Sequence, residues 1–412
     1  MPNNSIDKYQ SPNQRALRRF SKNKPAVFGF GWIVLCVVIA LLGYLIAPDS
    51  TPNANDQTPE IALKNPGFSI QILKVRKNQK YPDQNFFKTM FSGKRNPYRM
   101  VPINSFEFAG DSIVVEEYAG WDVEFNERIE GPLKSFHLAD VVFPIDPGAA
   151  NFEYDGESVS FSKINGKTET TSLDDLEKNI RDNLLIKKSY LLGTDLYGRD
   201  MLSRLLLGVR ISLLVGLIAV GISLTIGLMM GSLAGYFGGR VDDFIMLLIN
   251  TVWSIPTLLL VFAIVLAMGR GIGIIFLAVG LTMWVDVARV VRGQVLALKE
   301  VQFVEAAQSM GFKTFRIITR HILPNILGPV MVIAAANFAM AILIEAGLSY
   351  LGFGIKPPTP SWGTMLNENY GYALSGKPFL ALIPALAIMS LVLAFNLVGN
   401  GFRDALDVKG NK

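Results

Sequence analysis

Apolar residues in this chain come in long blocks and do not alternate. The run from Val27 to Ala47 carries no charged residue, and runs of similar character lie near 211–236, 244–268, 272–291, 326–354 and 379–402. A bilayer core of roughly 30 Å takes about 20 apolar residues of helix to cross. The pattern therefore predicts six transmembrane helices. Gly227, Gly231 and Gly235 recur every fourth residue in the second run, on one helix face bare enough for a neighbouring helix to pack closely. Pro256 in the third run and Pro384 in the sixth each remove a backbone hydrogen bond, which predicts bends.

Residues 48–190 interrupt this pattern with a hydrophilic stretch. Asp49 to Asp56 mixes proline, asparagine and short polar residues and reads as a linker. Ser112–Glu116, Trp121–Phe125 and Val141–Phe143 are β-branched or aromatic and predict strands. Ser158–Phe161 and Lys167–Thr171 alternate on either side of Asn165-Gly166, the signature of a hairpin, and 173–184 predicts a helix. The expected organisation is a tail over 1–25, a first membrane helix over 26–47, and a small β-containing insert over 48–190. A membrane core over 191–403 follows, with helices two to six and a loop at 292–325, and then a tail over 404–412.

Charge orients these pieces. Arg15, Arg18, Arg19, Lys22 and Lys24 precede the first helix; Lys299, Lys313, Arg316 and Arg320 fill the 292–325 loop; Arg403, Lys409 and Lys412 close the chain. The opposite loops hold only Arg270, Lys356 and Lys377. The positive-inside rule then places both termini and the 292–325 loop in the cytoplasm, as an even number of spans requires, and puts the insert outside. The first run is longer than the 7–15 residues usual for a signal-peptide core, so a retained anchor is expected. The formal net charge of +5 conceals an acidic stretch over 48–209, with 19 Lys/Arg against 24 Asp/Glu. The basic residues are juxtamembrane and lack interleaved exposed aromatics, which argues against nucleic acid. With Cys36 as the single cysteine and only His137 and His321, neither an intrachain disulfide nor a His/Cys metal cluster is expected, and no cofactor is implied.

Catalytic signatures are missing. There is no phosphate-binding G-x-x-x-x-G-K-[ST] loop, since Gly311-Phe312-Lys313-Thr314 lacks the upstream glycine, and there is no G-x-S-x-G elbow. Ionisable residues inside spans are costly and so informative. Asp286 and Arg289 stand three apart near the cytoplasmic end of the fourth span, a spacing that allows them to pair. Glu345 in the fifth span has two readings, a group on a water-accessible pathway or a helix–helix hydrogen bond. Beyond that span, Pro357, Pro358 and Pro360 with Trp362 forbid a regular helix and read as a rigid external flap or as an interfacial loop, a level that suits tryptophan. Most telling is Val304-Glu305-Ala306-Ala307-Gln308-Ser309-Met310-Gly311, a polar, helix-sized segment between membrane-grade runs. Ala306, Ala307 and Gly311 leave one side with little bulk, which predicts a docking element, and Pro324 is expected to stop or redirect the helix that follows.

Glu305-Ala306-Ala307 with Gly311 resembles the EAA loop of ABC importer permeases. Arg320-His321-Ile322-Leu323-Pro324-Asn325, Leu192-Gly193-Thr194-Asp195 with Gly198-Arg199-Asp200, Pro357 to Gly363, and Arg403-Asp404-Ala405-Leu406-Asp407 narrow the resemblance to the second permease subunit of dipeptide and oligopeptide transporters, a family that includes nickel and glutathione importers. It covers roughly 11–50 and 190–408 and fails over 51–188, where family members have a much shorter connection. The resemblance implies a type I ABC importer fold, all-α and polytopic, in the bacterial inner membrane. It also implies a homologous permease partner, two cytoplasmic ATPase subunits and an external substrate-binding protein. Glu305, Ala306, Ala307 and Gly311 would form the coupling helix. A nickel or other small-solute importer remains the alternative cargo, and an enzyme or sensor acting through the insert is the alternative of a different class.

Overall fold

A computed structural model describes residues 12–81, 85–122, 127–146, 152–155, 157–269 and 271–406. Its helices are α1 (Pro12–Lys22), α2 (Lys24–Ile46), α3 (Phe86–Ser92), α4 (Leu138–Val142), α5 (Leu173–Asn179), α6 (Met201–Phe237), α7 (Gly239–Trp253), α8 (Thr257–Met268), α9 (Ile272–Lys299), α10 (Gln302–Ser309), α11 (Thr314–Ile317), α12 (Leu323–Tyr350), α13 (Trp362–Leu374) and α14 (Phe379–Leu406). The strands are β1 (Phe68–Arg76), β2 (Tyr98–Ala109), β3 (Ser112–Glu117), β4 (Trp121–Asp122), β5 (Glu127–Arg128), β6 (Leu133–His137), β7 (Glu153–Tyr154), β8 (Ser158–Ser162), β9 (Thr168–Ser172) and β10 (Leu185–Tyr190). They form two compact units, one of residues 1–40, 208–367 and 381–412, the other of 41–207 and 368–380.

The first unit is helical. Among the described residues, five helices are long and apolar enough to cross a membrane, or six if the bent pair α7–α8 counts as one span. That pair turns by 89° at the break before Thr257. Helix α7 ends at Trp253 and Pro256 directly precedes α8, with no N–H to donate back towards α7, so the expected bend is present as a break between two helices. Pro384, in contrast, sits inside α14, which runs on to Leu406. At the centre stands α9, with 67% of its most apolar stretch buried against 22% for α2 and 33% for α14.

Glycines in α6 explain how it meets α9. A Cβ on Gly227 would lie 2.5 Å from Val287 Cβ, one on Gly231 2.5 Å from the Ala288 carbonyl oxygen, and one on Gly235 2.8 Å from Val295 Cβ. Only a bare face allows that approach. At the chain ends, Phe20 stacks on Phe402 at 5.0 Å and Asn23 Nδ2 donates to Asp404 Oδ2 at 3.1 Å, which holds α1 and the start of α2 against α14.

The second unit contains the insert. Its main sheet is antiparallel in the order β10-β1-β2-β3-β6, with α4 and α5 over one face and a core of Leu73, Val101, Ile113, Leu138, Phe161 and Leu176 among others. The hairpin of β8 and β9 pairs Ser158 with Ser172 and Ser162 with Thr168, and Gly166 in its turn adopts φ +78°. The expected helix over 173–184 is α5 followed by a wider turn through Leu184. One expected strand is wrong: Val141 and Val142 end helix α4. Leu138, Ala139 and Val141 are buried there, and His137 Nδ1 caps the helix by accepting the Ala139 N–H at 3.2 Å. A three-residue apolar run fits one helical turn as well as a strand, so its neighbours decided. Of the strand expected over Trp121–Phe125, Trp121–Asp122 is present and 123–126 lie outside the described residues, as do Arg270 and 407–412.

Candidate functional site

The segment from Val301 to Asn325 is built as a cap on the helical unit. Val304 and Ala307 of α10 are buried with Val287, Val291 and Val295 of α9, and with Ile317, Ile322, Ile326 and Val330. Glu305, Ala306 and Ser309 are exposed on the opposite side, beside exposed Phe303 and Met310. At 3.6 residues per turn a two-turn helix with 304 and 307 inward must show 305, 306 and 309 outward. Glu305 also lies in the first turn, where its charge complements the helix dipole.

The expected bare face divides accordingly. Of its three small residues Ala306 is presented outward on the helix and Ala307 is packed inside, while Gly311 lies exposed just past the helix end with open space around it. Gly311 adopts φ +75°; its N–H donates to the Gln308 carbonyl at 2.9 Å, while the Phe312 N–H reaches the Ala307 carbonyl at 3.2 Å. This pair of bonds is the Schellman closure, in which the left-handed residue is best a glycine. Gly311 therefore shapes the loop that closes α10. Beyond it, the Phe312 ring stacks on His321 at 5.9 Å and carries the Arg316 guanidinium at 4.4 Å. Pro324 is the second residue of α12, but α11, a wider turn over Ile318–Ile322 and α12 run on as one helix from Thr314 to Tyr350, so Pro324 does not stop the helix; the wider turn lies directly before α12.

Asp286 and Arg289 do not pair among the described residues. Arg289 Nη2 donates to Asn250 Oδ1 at 3.3 Å, and its guanidinium lies 3.7 Å from the Trp253 ring centre. One turn on, Arg292 grips Asp242 with two bonds of 2.5 and 2.6 Å. Both arginines thus fasten α7 to α9. The fork geometry of guanidinium suits such a bidentate bond.

At the other end of α12, Glu345 is fully buried, and its Oε1 accepts the Ser349 hydroxyl at 2.7 Å. That bond stays within α12, four residues on, and is not the helix–helix bond that one reading expected. Trp362 is buried too: a Cβ on Gly208 would come within 2.8 Å of its ring. It packs against the start of α6 in place of the interfacial exposure expected of it. Ser361 and Thr364 close the turn before α13, the Ser361 N–H donating to Thr364 Oγ1 at 3.0 Å and the Thr364 N–H to Ser361 Oγ at 3.1 Å. Pro357, Pro358 and Pro360 form the connection from α12 to this turn.

A buried charge cluster in the second unit went unassigned in the sequence. Asp195 accepts the N–H groups of Tyr197 and Arg199 at 2.9 and 3.0 Å and Arg199 Nε at 2.6 Å. Arg199 Nη2 reaches Glu368 of α13 at 2.6 Å, and Arg204 Nη2 reaches the same carboxylate at 3.4 Å. Two arginines and two acids balance, which is what makes burial of four charges tolerable. The available signal was Arg204 itself, a cation at the head of an apolar run. Next to the cluster, Asp200 caps α6 through the Ser203 N–H at 2.9 Å, and burial pushes its carboxyl above the usual carboxylate range against that opposing bond. Among the described residues no group of three or more His, Cys, Asp or Glu is placed to hold a metal.

The sequence that builds this geometry matches known proteins. Residues 225–409 match the model of binding-protein-dependent transport system inner membrane components, and 11–66 match that of the N-terminal transmembrane domain of oligopeptide transport permease C. The dipeptide transport system permease protein DppC of Bacillus subtilis is 43% identical over 227 residues, 55% of this chain and 71% of that protein. The oligopeptide permease OppC of the same organism is 41% identical over 55% of this chain and 73% of its own length. The glutathione permease GsiD of Pectobacterium atrosepticum is 43% identical over 53% of this chain and 72% of its own.

Proposed function

The chain belongs to the family of binding-protein-dependent transport system inner membrane components, and from that membership we propose that it forms half of a peptide translocation path and is driven through α10. It is a non-catalytic permease subunit of an ABC importer, a multi-pass protein of the inner membrane. The other half of the path is a homologous permease. Two cytoplasmic ATPase subunits supply the energy, and an external binding protein delivers the cargo. Dipeptides or oligopeptides are that cargo, by the names of the relatives. Six spans, with α7 and α8 as one broken span, put both termini and the 292–325 loop in the cytoplasm and the insert outside.

The seat of α10 is the observation that supports coupling most. Its inward residues Val304 and Ala307 lock it to α9 and α12, while Glu305 and Ala306 stay exposed for a partner. A rigid helix seated in an ATPase subunit would pass that subunit's displacement straight to two spans. Ala306→Arg places a long charged side chain on the outward face without touching the core. In reconstituted complexes it is expected to lower ATP-driven peptide uptake about tenfold or more, a loss of roughly 1.4 kcal/mol of coupling or more, with insertion and thermal stability unchanged. Uptake at the unsubstituted rate would overturn the assignment of α10.

A further inference from the structure

Helix α3 lies in the insert, outside both segments that the family models match. On a helix of 100° per residue, Phe86, Met90, Phe87 and Phe91 fall in that angular order within about 140°, one continuous apolar face. Phe86, Phe87 and Phe91 are 62%, 73% and 59% exposed, where a soluble domain would bury such rings.

The place of α3 in its unit says what covers this face. Gly93, which ends the helix, is buried against the end of α2: a Cβ there would lie 2.9 Å from the Tyr44 ring and 2.7 Å from the Ser50 carbonyl oxygen. The Lys94 N–H donates to that same carbonyl at 2.8 Å. Ser50 is four residues beyond Ile46, the last residue of a membrane-grade helix. Seven residues of helix span only about 10 Å, so all of α3 stays at the level where α2 leaves the bilayer.

Beside Ser50 a cleft of about 310 Å³ carries Lys74, Lys94, Arg95 and Lys188 against Asp49 and Asp56. Four cations to two carboxylates favour an anion. We propose that α3 is an interfacial anchor: its phenylalanines enter the acyl boundary of the bilayer, and the cleft beside Ser50 holds an anionic phospholipid headgroup. An apolar face flanked by basic residues, held at headgroup depth, is the arrangement that lies in a membrane surface. The inference goes beyond the transport reading and depends only on α2 as a span.

The test uses the full chain in a Cys36→Ser background, with a nitroxide on Phe87→Cys or, as the aqueous reference, on Lys167→Cys in the β8–β9 turn. Both positions are exposed, so neither label threatens folding. In phosphatidylcholine vesicles containing phosphatidylglycerol, the label at 87 is expected to collide severalfold more with oxygen, relative to a hydrophilic nickel chelate, than the label at 167. Removing phosphatidylglycerol, or changing Lys94 and Arg95 to Gln, is expected to reduce that ratio at least twofold. A label at 87 that reads like 167 overturns the anchor. So does one shielded from both reagents only when a partner permease is present, which would make the face a protein contact. A ratio indifferent to phosphatidylglycerol overturns the headgroup site.

Discussion

Single residues here act through where their partners stand. Gly311 stands exposed after Glu305-Ala306-Ala307, and its φ of +75° makes it the closure of α10. A leucine there would strain the backbone by about 1–2 kcal/mol and so report on the loop; Ala306 is the position that reads the outward surface. Arg199, Arg204, Asp195 and Glu368 show the converse. Their motif was visible around Gly198, but Glu368 stands 169 residues from Arg199 and nothing local joins them. Glu368→Gln is expected to lower thermal stability by about 3 kcal/mol, the lower end for a broken buried pair, because its side chain keeps slight solvent access. Thermal unfolding of the purified chain checks this, and a change below about 0.5 kcal/mol, the usual range for a surface substitution, would reduce the cluster to a surface pair.

Elements follow their sequence where one surface dominates and depart from it where two compete. The four-residue glycine spacing of α6 translates directly into its contact with α9, because helix periodicity alone aligns the three positions. Gly231→Leu is expected to cost about 1–3 kcal/mol by overpacking, whereas Gly221→Leu, with nothing within 4 Å of its Cβ, is expected to be neutral. Equal unfolding temperatures for the two variants would show that α6 does not need α9 this close. Strands β1, β2 and β10 were harder to anticipate. Pro102 interrupts β2, and β10 carries Lys187-Lys188, so each looks unpromising until the sheet supplies partners such as Ile72 for Pro102 and Lys188 for Ile70. Helix α4 replaced an expected strand for the same reason: five residues take the conformation that their burial requires.

At the scale of the whole molecule, the orientation proposed from charge can be read chemically. In a Cys36→Ser background, Lys167→Cys in intact cells is expected to react with a membrane-impermeant maleimide, and Ser309→Cys only after the membrane is opened; the opposite pattern would invert the topology. By itself, the sequence determined the membrane class, the long apolar blocks, the clustering of basic residues beside them and the family motifs, because long apolar runs and juxtamembrane charges act on the bilayer without needing the rest of the fold. Tertiary structure alone decided which of Ala306, Ala307 and Gly311 faces outward, that Arg289 and Arg292 bind α7 and leave Asp286 alone, that Trp362 is buried, and that α3 shows its phenylalanines beside the end of α2. Each of those outcomes depends on which surface another segment brings to the residue, and a linear pattern carries the period of a face but not the identity of what meets it.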